Sequence, residues 1–123
     1  MNSTDFRNNI VALACWRAAR TELPAVMLSV GMVFKNRAEA GWFDEDLYAN
    51  ATHWLVENPG EFPDPRDPQF QQMLSKLDLV LSGEVPDKTG GAMWFFPKEN
   101  LTVVPETFTI TSTIGNLVFL KLK

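Results

Sequence analysis

The sequence predicts an α+β domain in which a helical N-terminal part is followed by a small antiparallel sheet. Apolar residues recur at helical spacing as far as Leu81, and short aromatic and β-branched runs replace that spacing after Gly90. A chain of 123 residues is long enough to bury one hydrophobic core. We therefore assign residues 1–123 to a single domain.

The first helix is predicted over residues 5–20. Ile10, Leu13 and Ala14 recur there at helical spacing, and Thr4 is the expected N-cap. The helix is expected to end in the polar segment that carries the most informative motif of the chain.

The second and third helices are predicted from their start and stop signals. Thr21 is expected to cap the second helix, which holds Pro24 in its first turn and runs to Arg37. Asp44 is expected to cap the third helix, which ends at Asn58-Pro59-Gly60.

The fourth helix and the strands complete the predicted order. The fourth helix is predicted to begin with Asp67 as its N-cap and Pro68 at its first position, and to end at Gly83. Three short aromatic or β-branched segments are predicted as strands, at residues 92–96, 107–111 and 117–122.

Composition and charge exclude several classes of function. The chain is 46% hydrophobic with 9 Phe and 4 Trp, which is typical of a folded protein. A net charge of −4 with 11 Lys and Arg provides no basic surface for nucleic acid. The longest apolar run, residues 23–34, is interrupted by proline and glycine and is too short to cross a membrane. We expect no nucleic-acid partner and no membrane insertion.

The N-terminus and the metal-binding residue types allow further expectations. No basic segment followed by an apolar core is visible, so we expect a protein without a signal peptide that is cytoplasmic at synthesis. Association with a virion or delivery to the periplasm by another route stays open. Cys15 is the only cysteine, and His53 with Glu57 falls short of a zinc site. We therefore expect no metal and no cofactor.

The most informative stretch lies at residues 15–37. It reads Cys15-Trp16-Arg17-Ala18-Ala19-Arg20-Thr21-Glu22 at the end of the first helix, and Asn36-Arg37 at the end of the second.

This stretch resembles the opening of the SleB-like (spore-cortex-lytic type) cell-wall hydrolases. In that family the first helix ends in aromatic-Gly-Glu-Ala-Arg-Gly-Glu, and the second closes with Asn-Arg. Trp16 stands for the aromatic residue, and Ala19, Arg20 and Glu22 match the motif. The resemblance continues in order to about residue 120, through the segments 64–70, 81–92, 93–97 and 114–119.

The resemblance implies a lysozyme-like fold and a peptidoglycan-directed function, as a glycan-strand hydrolase or lytic transglycosylase. Because no signal peptide is visible, we expect a phage or prophage origin. Glycan cleavage needs a carboxylic acid beside the glycosidic oxygen. Ala18 stands where the family has its catalytic Glu, and Arg17 and Thr21 replace its two glycines. Whether the chain is an enzyme therefore stays open, and we expect little or no cleavage.

Two acidic residues are candidates for the carboxylates of the site, since position 18 has none. Glu22 is the candidate replacement acid, and its structural alternative is a partner for Arg20 or an acid in the first turn of the second helix. Glu61 is a candidate substrate-facing carboxylate, and its alternative is an exposed loop acid. If Glu22 is paired with an arginine, it is held ionised and is a poor proton donor.

The resemblance also places aromatic residues against the motif. Trp94 and Phe95 are candidate substrate-binding residues with Trp16, Arg20 and Glu61, because aromatic faces cover sugar rings. The same aromatic residues on a short strand are also typical of a core. We expect Ala18, Arg20 and Glu22 to line one cleft, with Trp94 or Phe95 on its far wall.

Two other functions stay open beside the hydrolase. One is a non-catalytic virion, tail or wall-binding module, and the other is an intracellular interaction protein on the same fold. The expected partner is accordingly either a peptidoglycan glycan strand or another protein, and the oligomeric state stays open.

Overall fold

The computed structural model describes residues 3–123, with side chains from residue 7 onward. Within this part the helices precede the strands, which confirms the predicted α+β class. The elements are α1 (Ser3–Ala19), α2 (Pro24–Glu39), α3 (Leu47–Glu57), α4 (Pro68–Leu81), β1 (Trp94–Pro97), a short 3₁₀ turn (Lys98–Asn100), β2 (Phe108–Ile114) and β3 (Leu117–Leu122).

The start of α2 differs from the prediction. The N-cap is Leu23, whose side chain makes no capping hydrogen bond, and Thr21 lies earlier, in the turn between α1 and α2. Pro24 explains the difference, because its fixed φ suits the first position of a helix and makes the preceding residue the cap. The cap predicted at Thr4 depends on a side chain outside the described residues.

The start of α3 also differs. Asp46 is the N-cap, and its carboxylate accepts hydrogen bonds from the backbone N–H groups of Tyr48 and Ala49. The predicted cap, Asp44, has a φ of 58°, between Phe43 at 53° and Glu45 at 64°. Three successive left-handed residues are incompatible with the start of a right-handed helix.

The start of α4 is as predicted. Asp67 is the N-cap and accepts a hydrogen bond from the N–H of Gln69 at 3.0 Å, and Pro68 occupies the first turn. The helix ends at Leu81, and Gly83 follows with a φ of 84°. None of the helices in the described part of the chain has the length and apolar character needed to cross a membrane.

The sheet has β3 in its centre, in the order β1-β3-β2, and both pairings are antiparallel. Phe95 of β1 pairs with Phe119 of β3, and β2 has an irregularity between Ile110 and Ser112. The third strand has the predicted bounds. The second is longer than predicted because its pairing with β3 continues to the turn at Gly115, where φ is 59°.

The core lies where α2 meets α1, α4 and the sheet. Its largest fully buried side chains include Phe34 and Met27 of α2, Leu77 of α4 and Phe119 of β3. The ring of Phe34 contacts that of Phe95 edge to face, with centroids 6.1 Å apart. This packing holds β1 against the helical part and determines where its aromatic side chains lie.

Candidate functional site

A groove with a volume of about 820 Å³ lies between the end of α1, α3 and β1. Six of its lining residues are aromatic, and they come from the loop after α2, from α3 and from β1. These aromatic residues are Trp42, Phe43, Trp54, Trp94, Phe95 and Phe96.

Contacts among these rings hold the aromatic wall in place. Trp42 meets Trp94 edge to face with centroids 5.6 Å apart, and Trp54 meets Phe95 at 5.9 Å. Such contacts restrict the orientation of each ring. The aromatic wall is therefore a preorganised surface rather than a set of mobile side chains.

Ala18 lines this same groove, together with Trp94 and Phe95. The expected juxtaposition of the motif position with the aromatic strand is therefore present. The side chain at this position is a methyl group, which has no proton to donate. The other two motif residues expected in the cleft, Arg20 and Glu22, are not part of its lining.

Arg17 forms one end of the groove with the loop after α3. Its guanidinium donates hydrogen bonds to the carbonyl oxygens of Asn58 at 3.2 Å, Gly60 at 3.1 Å and Glu61 at 2.9 Å. A Cβ on Gly60 would lie 3.2 Å from Cδ of Arg17, so glycine permits this close approach. Arg17 therefore holds the loop rather than projecting freely beside Ala18.

Arg20, Glu61 and Trp16 lie together outside the groove. Arg20 pairs with Glu61 at 2.7 Å, and its guanidinium lies 5.9 Å from the centroid of the Trp16 ring. Trp16 is only 9% exposed and belongs to the core. Because the ion pair is solvent-exposed, its contribution to stability is small. The three residues lie at the end of α1 and in the loop after α3, and they are not part of the groove lining.

Glu22 lies against the hairpin between β2 and β3. Its carboxylate accepts a hydrogen bond from the backbone N–H of Asn116 at 2.8 Å. The expected pairing with Arg20 was wrong, because the turn after Ala19 directs Glu22 toward the sheet. A Cβ on Gly115 would lie 2.7 Å from Oε2 of Glu22, so the hairpin and the carboxylate are tightly apposed.

Glu57 is the carboxylate that the described residues contribute to the groove lining, and the sequence analysis did not select it. Its Oε1 lies 3.3 Å from Nε2 of His53. The spacing of four residues within α3 places both side chains on one helix face, and that spacing was the signal available in the sequence. Within the described part of the chain, no three histidine, cysteine or acidic side chains are grouped to hold a metal ion.

Arg37 is the second charged residue that the sequence analysis did not select for the groove. Its Nε donates to the carbonyl of Met93 at 2.7 Å, and its guanidinium lies 5.0 Å from the centroid of the Trp42 ring. Burial lowers the pKa of Arg37 to about 10, although attraction from the Glu57 carboxylate opposes that change.

The Asn-Arg pair that closes the second helix thus has a visible structural role. Asn36 donates from Nδ2 to the carbonyl of Ala92 at 3.0 Å, and Arg37 donates to the next carbonyl along the chain. These bonds hold the start of β1 against α2. They also position the aromatic strand that forms one wall of the groove.

A second hollow, of about 900 Å³, lies between α1, the start of α3 and the end of α4. Its charged lining is mostly acidic, but Asp46 is already engaged as the cap of α3 and Asp78 accepts a hydrogen bond from Asn8. None of the residues selected from the sequence lines it. We therefore assign the candidate site to the aromatic groove.

Among the described residues, Glu57 is the one carboxylate in the groove lining, so this lining contains no pair of acids. Comparison with models of protein families, with curated protein sequences and with solved structures gives no match to this chain.

Proposed function

We propose that this protein is a peptidoglycan-directed domain on the lysozyme-like scaffold of the SleB-like cell-wall hydrolases, and that it binds the glycan strand without efficient cleavage. The observation that carries the proposal is the position of Ala18. The residue at the family's acid position lines a groove whose walls are aromatic. Two of the expected binding residues, Trp94 and Phe95, line this groove, and the expected acid position holds a methyl group.

The aromatic wall supports glycan binding. Pyranose rings have apolar faces that pack on aromatic side chains, and their hydroxyl groups need nearby polar partners. Arg37, His53, Glu57 and Asn100 line the groove beside the aromatic residues and provide such partners. An open groove of about 820 Å³ also suits a segment of a polymer better than a small enclosed ligand.

The single carboxylate that the described residues contribute to the groove supports binding without cleavage. Glycosidases of the common type place two carboxyl groups roughly 5–9.5 Å apart across the scissile bond. Among the described residues, Glu57 alone supplies a carboxylate to this groove, and it is engaged with His53. Its side chain is 63% exposed, so it lies outside the kind of apolar pocket in which such enzymes hold their general acid.

A binding measurement with matched variants tests the proposal. Phe96→Ala removes a groove-lining ring that is 41% exposed, and Phe62→Ala removes a ring outside the groove that is 77% exposed. We expect the native protein to sediment with purified sacculi and to bind an N-acetylglucosamine tetramer in calorimetry. Phe96→Ala should weaken the affinity for sacculi and for the tetramer by about 2- to 10-fold, as expected for loss of one aromatic contact.

Phe62→Ala is the control and should leave binding unchanged. Equal weakening by both substitutions would indicate a nonspecific apolar effect. Absence of binding to sacculi and to the tetramer would contradict the proposal. It would favour a protein partner instead.

A further inference from the structure

The Arg37 guanidinium is held in one orientation inside the groove. Its Nε donates to the Met93 carbonyl at 2.7 Å, and the Trp42 and Phe34 rings lie 5.0 and 5.9 Å from it. A planar guanidinium fixed by one hydrogen bond and stacked on aromatic rings has little rotational freedom left to lose. The groove therefore contains a preorganised cation.

Most of the hydrogen-bonding capacity of that cation is unused. A guanidinium has five N–H donors, and Arg37 uses only the one on Nε in bonds to described residues. No described carboxylate lies within ion-pairing distance of it, since the groove's acid, Glu57, is directed at His53. Burial lowers the pKa of Arg37, and the attraction from the more distant Glu57 carboxylate offsets only part of that change.

We infer that Arg37 binds a carboxylate of the glycan strand, so that the groove selects an acidic amino-sugar polymer over a neutral one. The inference rests on the proposed function and adds the substrate class. Paired N–H groups of arginine fit the two oxygens of a carboxylate. Peptidoglycan has such a group in two places: on the lactyl ether of a peptide-free strand, and on the stem peptide of a substituted strand. A chain of N-acetylglucosamine alone has neither.

The test compares four tetrasaccharides of equal length by calorimetry at neutral pH. They are an N-acetylglucosamine tetramer, a peptide-free peptidoglycan tetrasaccharide, the same compound with its lactyl carboxylates converted to methylamides, and a tetrasaccharide with stem peptides. We expect the native protein to bind at least one carboxylate-bearing form roughly 10- to 100-fold more tightly than the neutral tetramer, as for one charge-assisted pair. The peptide-free and peptide-bearing forms identify the source of the carboxylate.

Two variants distinguish a specific effect of Arg37 from a general effect of positive charge on the protein. Arg37→Met keeps an apolar side chain over Trp42 and removes the cation, and the ratio of the dissociation constants should fall toward one. Arg66→Met removes the same charge from a side chain that is 91% exposed and lies outside the groove, and the ratio should persist. If the peptide-free form is preferred, methylamidation gives an independent test on the native chain, and it should abolish that preference even if Arg37→Met fails to fold.

The outcomes distinguish this inference from the proposed function. Tight binding of all four tetrasaccharides with equal affinity by the native chain would overturn the role of Arg37 and leave glycan binding standing. Binding of none of them would contradict both. A preference for the peptide-free form that persists in its methylamide would also overturn the inference.

Discussion

At the scale of single residues, the decisive position is 18. A methyl group faces the groove there, beside Trp94 and Phe95, and the groove's acid is Glu57. Arg17, which precedes it, is engaged by three carbonyl groups of the following loop. General acid assistance typically contributes about 10²- to 10⁴-fold to the rate, so its loss alone is enough to silence a slow hydrolase.

We therefore expect the native chain to release no muropeptides from purified sacculi above a buffer control. Ala18→Glu should give measurable release by chromatography, because it returns a carboxyl group to the aromatic groove. Arg17→Gly/Ala18→Glu should give more, since removing the adjacent cation raises the pKa of the new acid. If the single variant releases more muropeptides than the double variant, the hydrogen bonds of Arg17 to the loop after α3 matter more for activity than the effect of its charge on the pKa of the new acid. Release by the native chain that Glu22→Gln or Glu57→Gln abolishes would contradict the prediction.

Cys15 provides a second prediction at this scale. Burial raises the pKa of its thiol to about 12, above the usual 9.0, and its side chain is fully buried. Only the thiolate reacts with iodoacetamide. At pH 8 we expect native Cys15 to be alkylated far more slowly than the same residue in urea, as followed by mass spectrometry. Equal rates in both states would show that the end of α1 opens readily to solvent.

At the scale of elements, α2 has an incomplete start. Leu23 occupies the N-cap with φ −71° and ψ 157°, which is the usual cap conformation, but it offers no side-chain acceptor. The side chain is 66% exposed, so its removal costs little burial. The backbone is therefore already suited to a capping residue that the sequence does not supply.

Leu23→Ser is expected to stabilise the protein by about 0.5–2 kcal/mol, because the hydroxyl can accept a hydrogen bond from the first turn of α2. The measurement is urea unfolding followed by circular dichroism. Leu23→Ala removes the same apolar side chain without adding an acceptor, and it is the control. If both variants have the same free energy of unfolding, the gain is unrelated to capping.

At the scale of the whole molecule, hydrogen bonds join the helical part to the turn before β1, to the start of β1 and to the β2–β3 hairpin. Asp87 accepts from Asn36 at 2.9 Å and from the backbone of Thr89 and Gly91, and it thereby orders the turn that leads into β1. Glu22 joins the turn after α1 to the β2–β3 hairpin. Burial by itself would raise the pKa of Asp87, but its hydrogen bonds outweigh burial and lower the pKa below 3.8.

This shift predicts a dependence of stability on pH. Because the pKa of Asp87 is lower in the folded state, the unfolded chain binds more protons near pH 3 to 4. The contribution of the Asp87 carboxylate to the free energy of unfolding is therefore complete at pH values above its pKa in the unfolded chain. It is lost as the pH falls through its pKa in the folded protein. We expect Asp87→Asn to lower the free energy of unfolding at pH 6 and to reduce its fall between pH 6 and pH 3, measured by urea unfolding. Asp64→Asn, in the exposed loop before α4, is the control and should leave both quantities close to native.

The sequence by itself determined the order of the helices and strands. It also determined where a helix begins when the signal lies in adjacent residues of the chain. Asp67-Pro68 begins α4 as predicted, because a cap and a proline act within one turn. The resemblance also placed Ala18 in one groove with Trp94 and Phe95, which the structure shows. The starts of α2 and α3 were misplaced because Pro24 and the left-handed backbone at residues 43–45 changed the local register.

Only the tertiary structure decided which side chains share the groove. Trp42, Trp54 and Glu57 come from a loop and a helix that carry no motif, and Arg37 joins them because α2 packs against β1. Arg20 and Glu22, although within the motif, are directed elsewhere by the turn after α1. Spacing along a chain specifies the face of one element, whereas a site built from several elements depends on how their faces pack together.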